Sequence, residues 1–192
     1  PYQDQIEAII LPKTQSFDFL ATLAPMIDFK NKLVPLIETS RAIETVTQIA
    51  AFKDVVGLFF GAADASASLG CKLAWEPLLY ARHRVVLAAS MFNLFTIDAP
   101  YFYIDKMAGL KEEAEAVKNL GFTGKAAIHP DQIDHINEAF SPSPEEKAEA
   151  KKVLEEYQKS GGGAIKVDGQ MIDEPIAEAM RLKITLGEEE KG

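Results

Sequence analysis

The chain has 192 residues, 47% of them apolar and 26% charged, with a net charge of −9. Those values describe one globular domain with room for a sizeable core, and they exclude collagen-like, coiled-coil and largely disordered architectures. The acidic balance gives no general attraction for a nucleic-acid backbone, and no run approaches the roughly 18 apolar residues of a membrane span, so neither is an expected partner. Cys71 is the sole cysteine, which excludes an intrachain disulfide and a cysteine-based zinc site and makes a reducing, cytoplasmic setting the expectation.

Residue 1 is proline, and the chain enters an apolar run almost at once, as if it began in mid-architecture. Ala8–Leu11, Leu33–Ile37, Val55–Phe60, Leu94–Ile97 and Lys125–Ile128 read as short strands, apolar on both faces as in a parallel sheet. Helical patterns alternate with them. Ser16 caps a helix carrying Phe19, Leu20, Leu23, Met26 and Ile27. Further helices are predicted over Arg41–Phe52, Pro77–Phe92, Leu110–Leu120 (closed by Gly121) and His129–Phe140. Ser143-Pro144-Glu145-Glu146 is a capping box that opens a charged helix to about Lys159. Gly161–Gly163 then break the chain. The tail has a tight turn at Asp168-Gly169, a helix from about Ile176 to Leu182 and a frayed EEEKG end.

The predicted strand ends near Leu11, Glu38, Gly61, Asp98 and His129 recur every 23 to 37 residues, the spacing of a βα repeat. Polar residues crowd these ends: Lys13, Glu38, Asp64, Asp98 and His129. Ligands of parallel-sheet folds bind beyond the C-terminal ends of the strands. Five such units are visible where a (β/α)8 barrel has eight, so the expected architecture is an α/β, TIM-barrel-type fold carrying about its last five units. The expected division is a partial barrel over residues 1–160 and a C-terminal tail over residues 161–192.

Glu38 and Asp64 sit at neighbouring strand ends, where two carboxylates suit Mg²⁺ completed by substrate oxygens and water. The competing reading makes them a strand-end ion pair and a helix cap. Small residues at Gly61, Ala62 and Ala63 let backbone N–H groups approach a ligand carboxylate, although a plain turn has the same composition. Arg82, His83 and Arg84 offer either a phosphate patch or an ion-paired helix face. His129 is either a base or a histidine bonded under a loop, and Asp173, read from the residues alone, is foremost a helix N-cap.

Taken together, LPK (Leu11–Lys13), PLIET (Pro35–Thr39), LFFGAADASASLG (Leu58–Gly70), LLYARHRVVLAA (Leu78–Ala89), IDAPY (Ile97–Tyr101), the run Gly109–Ile133 with its GFTGKAAIHP core, AFSPSPEE (Ala139–Glu146) and the tail Met171–Pro175 resemble the citrate lyase β-subunit-like family of the HpcH/HpaI aldolase superfamily. The resemblance implies a TIM barrel assembled as homotrimers or hexamers. It implies a Mg²⁺-dependent lyase that breaks a carbon–carbon bond in a CoA thioester such as citryl-, malyl- or citramalyl-CoA, releasing acetyl-CoA and an α-keto acid. It assigns Mg²⁺ to Glu38 and Asp64, substrate binding to Gly61, Ala62 and Ala63, and acid/base catalysis to Asp173 on a tail that reaches a neighbouring subunit. A non-catalytic assembly subunit and a malate-synthase- or thioesterase-like CoA enzyme are the alternatives. Thr14 and Gln15 follow LPK where the family often has an apolar residue and glutamate. The family's carboxylate-binding arginine lies in the first three βα units, which are expected to be missing.

Overall fold

The computed structural model describes residues 6–26 and 32–186, so Ile27 and the EEEKG end lie outside the described residues. The chain falls into two compact units, one up to Ile136 and one from Asn137. The boundary expected at residue 160 therefore lies earlier, and the charged helix belongs with the tail.

The first unit is built on a parallel sheet whose strands run in sequence order: β1 (Ala8–Leu11), β2 (Lys32–Ile37), β3 (Gly57–Phe60), β4 (Phe95–Asp98) and β5 (Gly124–Lys125). Strictly sequential parallel order is the mark of a βα barrel wall rather than of a doubly wound sheet. Helices α1 (Phe17–Leu23), α2 (Ser40–Glu44), α3 (Val46–Ala50), α4 (Ala62–Leu69), α5 (Trp75–Met91) and α6 (Met107–Leu120) fill the connections. Leu20, Ile49, Leu78, Val85, Leu110 and Val117 from these helices, with Ile37, Leu58 and Phe60 from the sheet, are fully buried.

Register decides which residues face those helices. The pairs Leu36↔Phe59 and Ile37↔Phe60, then Phe59↔Ile97, then Ile97↔Gly124 and Asp98↔Lys125, define two rows. Ile37, Phe60, Asp98 and Lys125 form the buried row on the helix side. Leu36, Phe59 and Ile97 form the opposite, half-buried row. Side chains alternate along a strand, so Glu38, two residues past Leu36, belongs to the second face.

Several elements differ from their expected bounds for local reasons. The single helix predicted over Arg41–Phe52 is two, broken at Thr45, whose hydroxyl lies 3.0 Å from both Arg41 O and Gln15 O and shares its one proton between them. The strand predicted to Ile128 pairs only through Lys125. Ala126 N–H still reaches Asp98 O (2.9 Å), but Ile128 N–H turns to the Gln132 side chain (3.0 Å). Helix α4 extends the Gly61–Asp64 segment to Leu69 and ends at Gly70 in the left-handed conformation. Pro130–Gln132 is a 3₁₀ turn before α7 (Ile133–Phe140).

The second unit joins α8 (Pro144–Lys159) to a hairpin of β6 (Ile165–Val167) and β7 (Gln170–Ile172) and to α9 (Glu174–Leu186). Asp168 and Gly169 make the hairpin turn with φ of 47° and 91°, as a two-residue primed turn requires. Val153, Leu154 and Tyr157 of α8 bury themselves against Val167, Ile172 and Ala177, which is why the helix sides with the tail. Among the described residues no helix is long and apolar enough to cross a membrane.

The capping box is formed in full: Ser143 Oγ accepts from Glu146 N–H (3.1 Å), and the Glu146 carboxylate accepts from Ser143 N–H (2.9 Å). Ser143→Ala is expected to lower the stability of the C-terminal unit by about 1 kcal/mol, read from the midpoint of urea unfolding followed by circular dichroism.

Candidate functional site

Glu38 and Asp64, from successive βα units, meet at the C-terminal end of the sheet. Glu38 follows β2 and is almost wholly buried, with 4% exposure. Asp64 lies in the first turn of α4. Both converge on Lys13, just past β1. Lys13 N–H donates to Glu38 Oε1 at 2.8 Å, and its ammonium stands 3.5 Å from the same oxygen while donating to Asp64 Oδ2. Lys13 holds φ at 55°, in the left-handed region that a non-glycine residue rarely enters. That backbone conformation accompanies an N–H and a side chain both turned on Glu38. The Lys13 ammonium holds the Asp64 carboxyl below the usual aspartate range, and the Asp64 carboxylate in turn raises the Lys13 amine. A depressed carboxyl favours the folded state above its ordinary range, and the contribution fades as pH falls through the depressed value.

Gly61 is there for space. A Cβ at that position would lie 2.6 Å from Glu38 Cβ and 3.1 Å from Glu38 Oε2. Its own N–H is bound to Ile37 O (3.0 Å), so it does not point at a ligand. The next residues, Ala62 and Ala63, begin α4, and first-turn N–H groups have no carbonyl four residues back to bond. Ala62 is buried and Ala63 exposed.

The two carboxylates fit a hard divalent cation. They are oxygen donors, they converge from separate elements, and a cationic group already stands between them. Among the described residues no third His, Cys, Asp or Glu joins them, the pattern of Mg²⁺ sites that keep waters and substrate oxygens as ligands.

On the opposite face of the sheet lies a second charged cluster that sequence reasoning did not assemble. Asp98 Oδ1 accepts from Arg82 Nε (2.8 Å) and Asp98 Oδ2 from Lys125 Nζ (2.8 Å). Lys125 also donates to Ala99 O (2.6 Å) and Glu113 Oε1 (2.7 Å), which uses all three of its protons. The Arg82 guanidinium lies 4.7 Å from the Trp75 ring centre and 5.2 Å from that of Phe60. Arg82 Nη1 is buried without a hydrogen-bond partner, and the Arg82 side chain borders a cavity of about 260 Å³ with Ala62, Trp75, Tyr101 and Glu113. Burial, with the negative charge of Glu113 beside it, keeps the Tyr101 phenol above its ordinary pKa. The signal in the sequence was a charge inside each of two apolar runs, FTID and GKAAI, since buried charges have to be paired.

The phosphate-patch reading of Arg82, His83 and Arg84 does not hold, because Arg82 turns inward to Asp98 while Arg84 donates to Glu44 O at 2.7 Å. His129 caps the 3₁₀ turn, its Nδ1 accepting from Asp131 N–H at 3.3 Å. Asp173 lies in the C-terminal unit, where its carboxylate accepts from Ile176 N–H (3.3 Å) at the start of α9.

Residues 3–130 match the family model described as HpcH/HpaI aldolase/citrate lyase. The chain belongs to that family. It is 34% identical to the human mitochondrial citramalyl-CoA lyase over 93% of its own length and 59% of that protein. It is likewise 34% identical to a citrate lyase subunit beta-like protein of Mycobacterium tuberculosis over 88% of the chain and 62% of the relative. It thus spans about 60% of the length of these curated relatives. Among solved structures, the M. tuberculosis protein CitE, bound to magnesium, acetoacetate and coenzyme A, superposes with a TM-score of 0.83 at 32% identity, covering 94% of this chain and 68% of that one. RipC from Yersinia pestis superposes at 0.70 with 41% identity over 73% of the chain and 66% of its own. The parallel sheet is accordingly a partial wall of a TIM-barrel-type fold, as the repeat in the sequence implied.

The buried cluster can be tested through stability. Asp98→Ala strands the Arg82 and Lys125 charges in the interior and is expected to cost about 3–5 kcal/mol, measured by guanidinium unfolding. Lys32→Ala, an exposed change in the same sheet, is expected to cost under about 0.5 kcal/mol.

Proposed function

We propose that the protein is a Mg²⁺-dependent carbon–carbon lyase acting on a 3-hydroxyacyl-CoA of the citryl-, malyl- or citramalyl-CoA type. The observation that carries the reading is the convergence of Glu38 and Asp64 from separate βα units at the ligand-binding end of a lyase-family sheet. The names of the relatives support the CoA ester and the lyase reaction, and the magnesium complex of the M. tuberculosis CitE protein supports the ion.

In this reading Glu38 and Asp64 hold Mg²⁺. When bound, the ion supplies Lewis-acid stabilisation of the negative charge that develops on the oxygen of the α-keto-acid half. The chain does the rest. The first-turn N–H groups of Ala62 and Ala63, at the positive end of α4, are assigned the substrate carboxylate, and Gly61 leaves room for Glu38 beside them. In cleavage the 3-hydroxyl gives its proton to a solvent water, the C2–C3 bond breaks, and its electron pair passes into the thioester as an enolate. Asp173, on a C-terminal segment that reaches a neighbouring subunit's site, delivers the proton to C2 to give acetyl-CoA. The reading includes a homotrimer or hexamer, so that a neighbouring subunit is at hand, and a cytoplasmic setting.

The direct test supplies the intact protein with each thioester and follows acetyl-CoA release by mass spectrometry. Cleavage is expected only with Mg²⁺, to vanish with chelator, and to fall about 10²-fold or more in Glu38→Gln and in Asp64→Asn. Release of free CoA without the keto acid would make it a thioesterase. Oligomers that neither cleave nor bind metal would make it an assembly subunit.

Asp173 calls for a separate comparison, because it also caps α9. Asparagine caps as well as aspartate. Asp173→Asn is therefore expected to keep the unfolding midpoint while turnover collapses, whereas Asp173→Ala is expected to lose both turnover and about 1 kcal/mol of stability.

A further inference from the structure

We propose that Lys13 is an exchangeable counter-cation: its ammonium pairs with Glu38 and Asp64 while no metal is bound, and it turns to the carboxylate of an α-keto-acid ligand once Mg²⁺ takes its place. The inference rests on the metal reading above and adds a role that the metal ligands themselves do not have.

The first support is position. The Lys13 ammonium bonds Asp64 and stands 3.5 Å from Glu38 Oε1, in the gap where the two carboxylates converge. Mg²⁺ draws carboxylate oxygens to about 2.0–2.1 Å. A unit positive charge does not stay in the same gap as a doubly charged ion, so one cation displaces the other.

The second is the contrast in burial. The Glu38 side chain is 5% exposed and the Lys13 side chain 58%. A carboxylate so nearly buried needs a cation at all times, since burying it unpaired is costly. The lysine can leave without opening a cavity, because its stem lies mostly in solvent. Its main-chain N–H stays on Glu38 Oε1 whichever way the side chain points, so the carboxylate keeps its orientation through the exchange.

The third is the sign of the site. Two carboxylates and one ammonium leave a net negative charge, which repels a keto acid. Two carboxylates, one divalent cation and the same ammonium leave a net positive charge, which attracts a carboxylate. Metal binding thus reverses the sign of the site and frees a flexible cation beside the small-residue start of α4. The strained left-handed backbone at Lys13 marks a residue held in place by its contacts.

The test pairs two binding measurements with opposite expected signs. Lys13→Met keeps the main chain and most of the stem. In metal-stripped protein its Mn²⁺ affinity, read by electron paramagnetic resonance, is expected to rise at least about threefold because no ammonium has to be displaced. In Mg²⁺-saturated protein its affinity for pyruvate, read by calorimetry, is expected to fall at least about fivefold. Lys13→Arg keeps the charge and is expected to hold pyruvate within about twofold of the parent. Mn²⁺ affinity that is unchanged or weaker in Lys13→Met overturns the exchange, as does unchanged pyruvate affinity. Glu38→Gln separates the two levels of the argument. If the parent binds Mn²⁺ and Glu38→Gln does not, the metal reading stands whatever Lys13→Met shows. If the parent binds no Mn²⁺, the metal reading and this inference fall together.

Discussion

The Asp98 carboxylate is the constraint on which the first unit depends. It ends β4 on the helix side of the sheet and receives a guanidinium from α5 and an ammonium from β5. Through Lys125 the same cluster takes in Glu113 of α6 and the carbonyl of Ala99. Two positive and two negative charges thus close on one another, so the interior carries no net charge that would need water. A hydrophobic contact in this place would tolerate sliding, but hydrogen-bonded charges do not, because each unpaired member costs several kilocalories per mole. The cluster therefore fixes where α5 and α6 lie on the sheet and where the loop after β4 leaves it.

The other face carries the proposed site. Glu38 belongs to the alternate row of side chains, opposite that cluster. Helix α4 starts directly after β3, which delivers Asp64 and the first-turn N–H groups of the helix near Glu38. The close fit of Gly61 against Glu38 makes this junction intolerant of even one methyl group, whereas the Lys13 side chain is mostly exposed. A buried carboxylate, a helix start and one exposed cation make up the proposed site.

The C-terminal unit follows a different economy. Its core is small: one face of α8, a two-stranded hairpin and the first turns of α9. Local signals hold it together to an unusual degree, with a full capping box, a primed turn and a carboxylate cap within about 35 residues of chain. Asp173 has a structural role in the cap. The cap sets the carboxylate at the head of α9, and the acid/base role proposed for it uses the same group.

Much of this was legible in the chain itself. Apolar runs bounded by polar ends located all five strands, because buried parallel strands have little freedom in composition. The capping box, the Asp168-Gly169 turn and the glycine after α6 were equally readable, since each depends on the conformational limits of a few adjacent residues. Glu38, Asp64 and the small residues at Gly61–Ala63 stood out because strand ends are where such folds place ligands. Tertiary structure alone decided the rest, where partners lie far apart in sequence. Arg82 and Asp98 are 16 residues apart, and Lys125 is 27 from Asp98. Lys13 meets Asp64 across 51 residues. No local pattern states which strand-end charge turns toward the helices and which toward the ligand face. Register does, because one residue along a strand reverses the face, and register is fixed only when the whole sheet is packed.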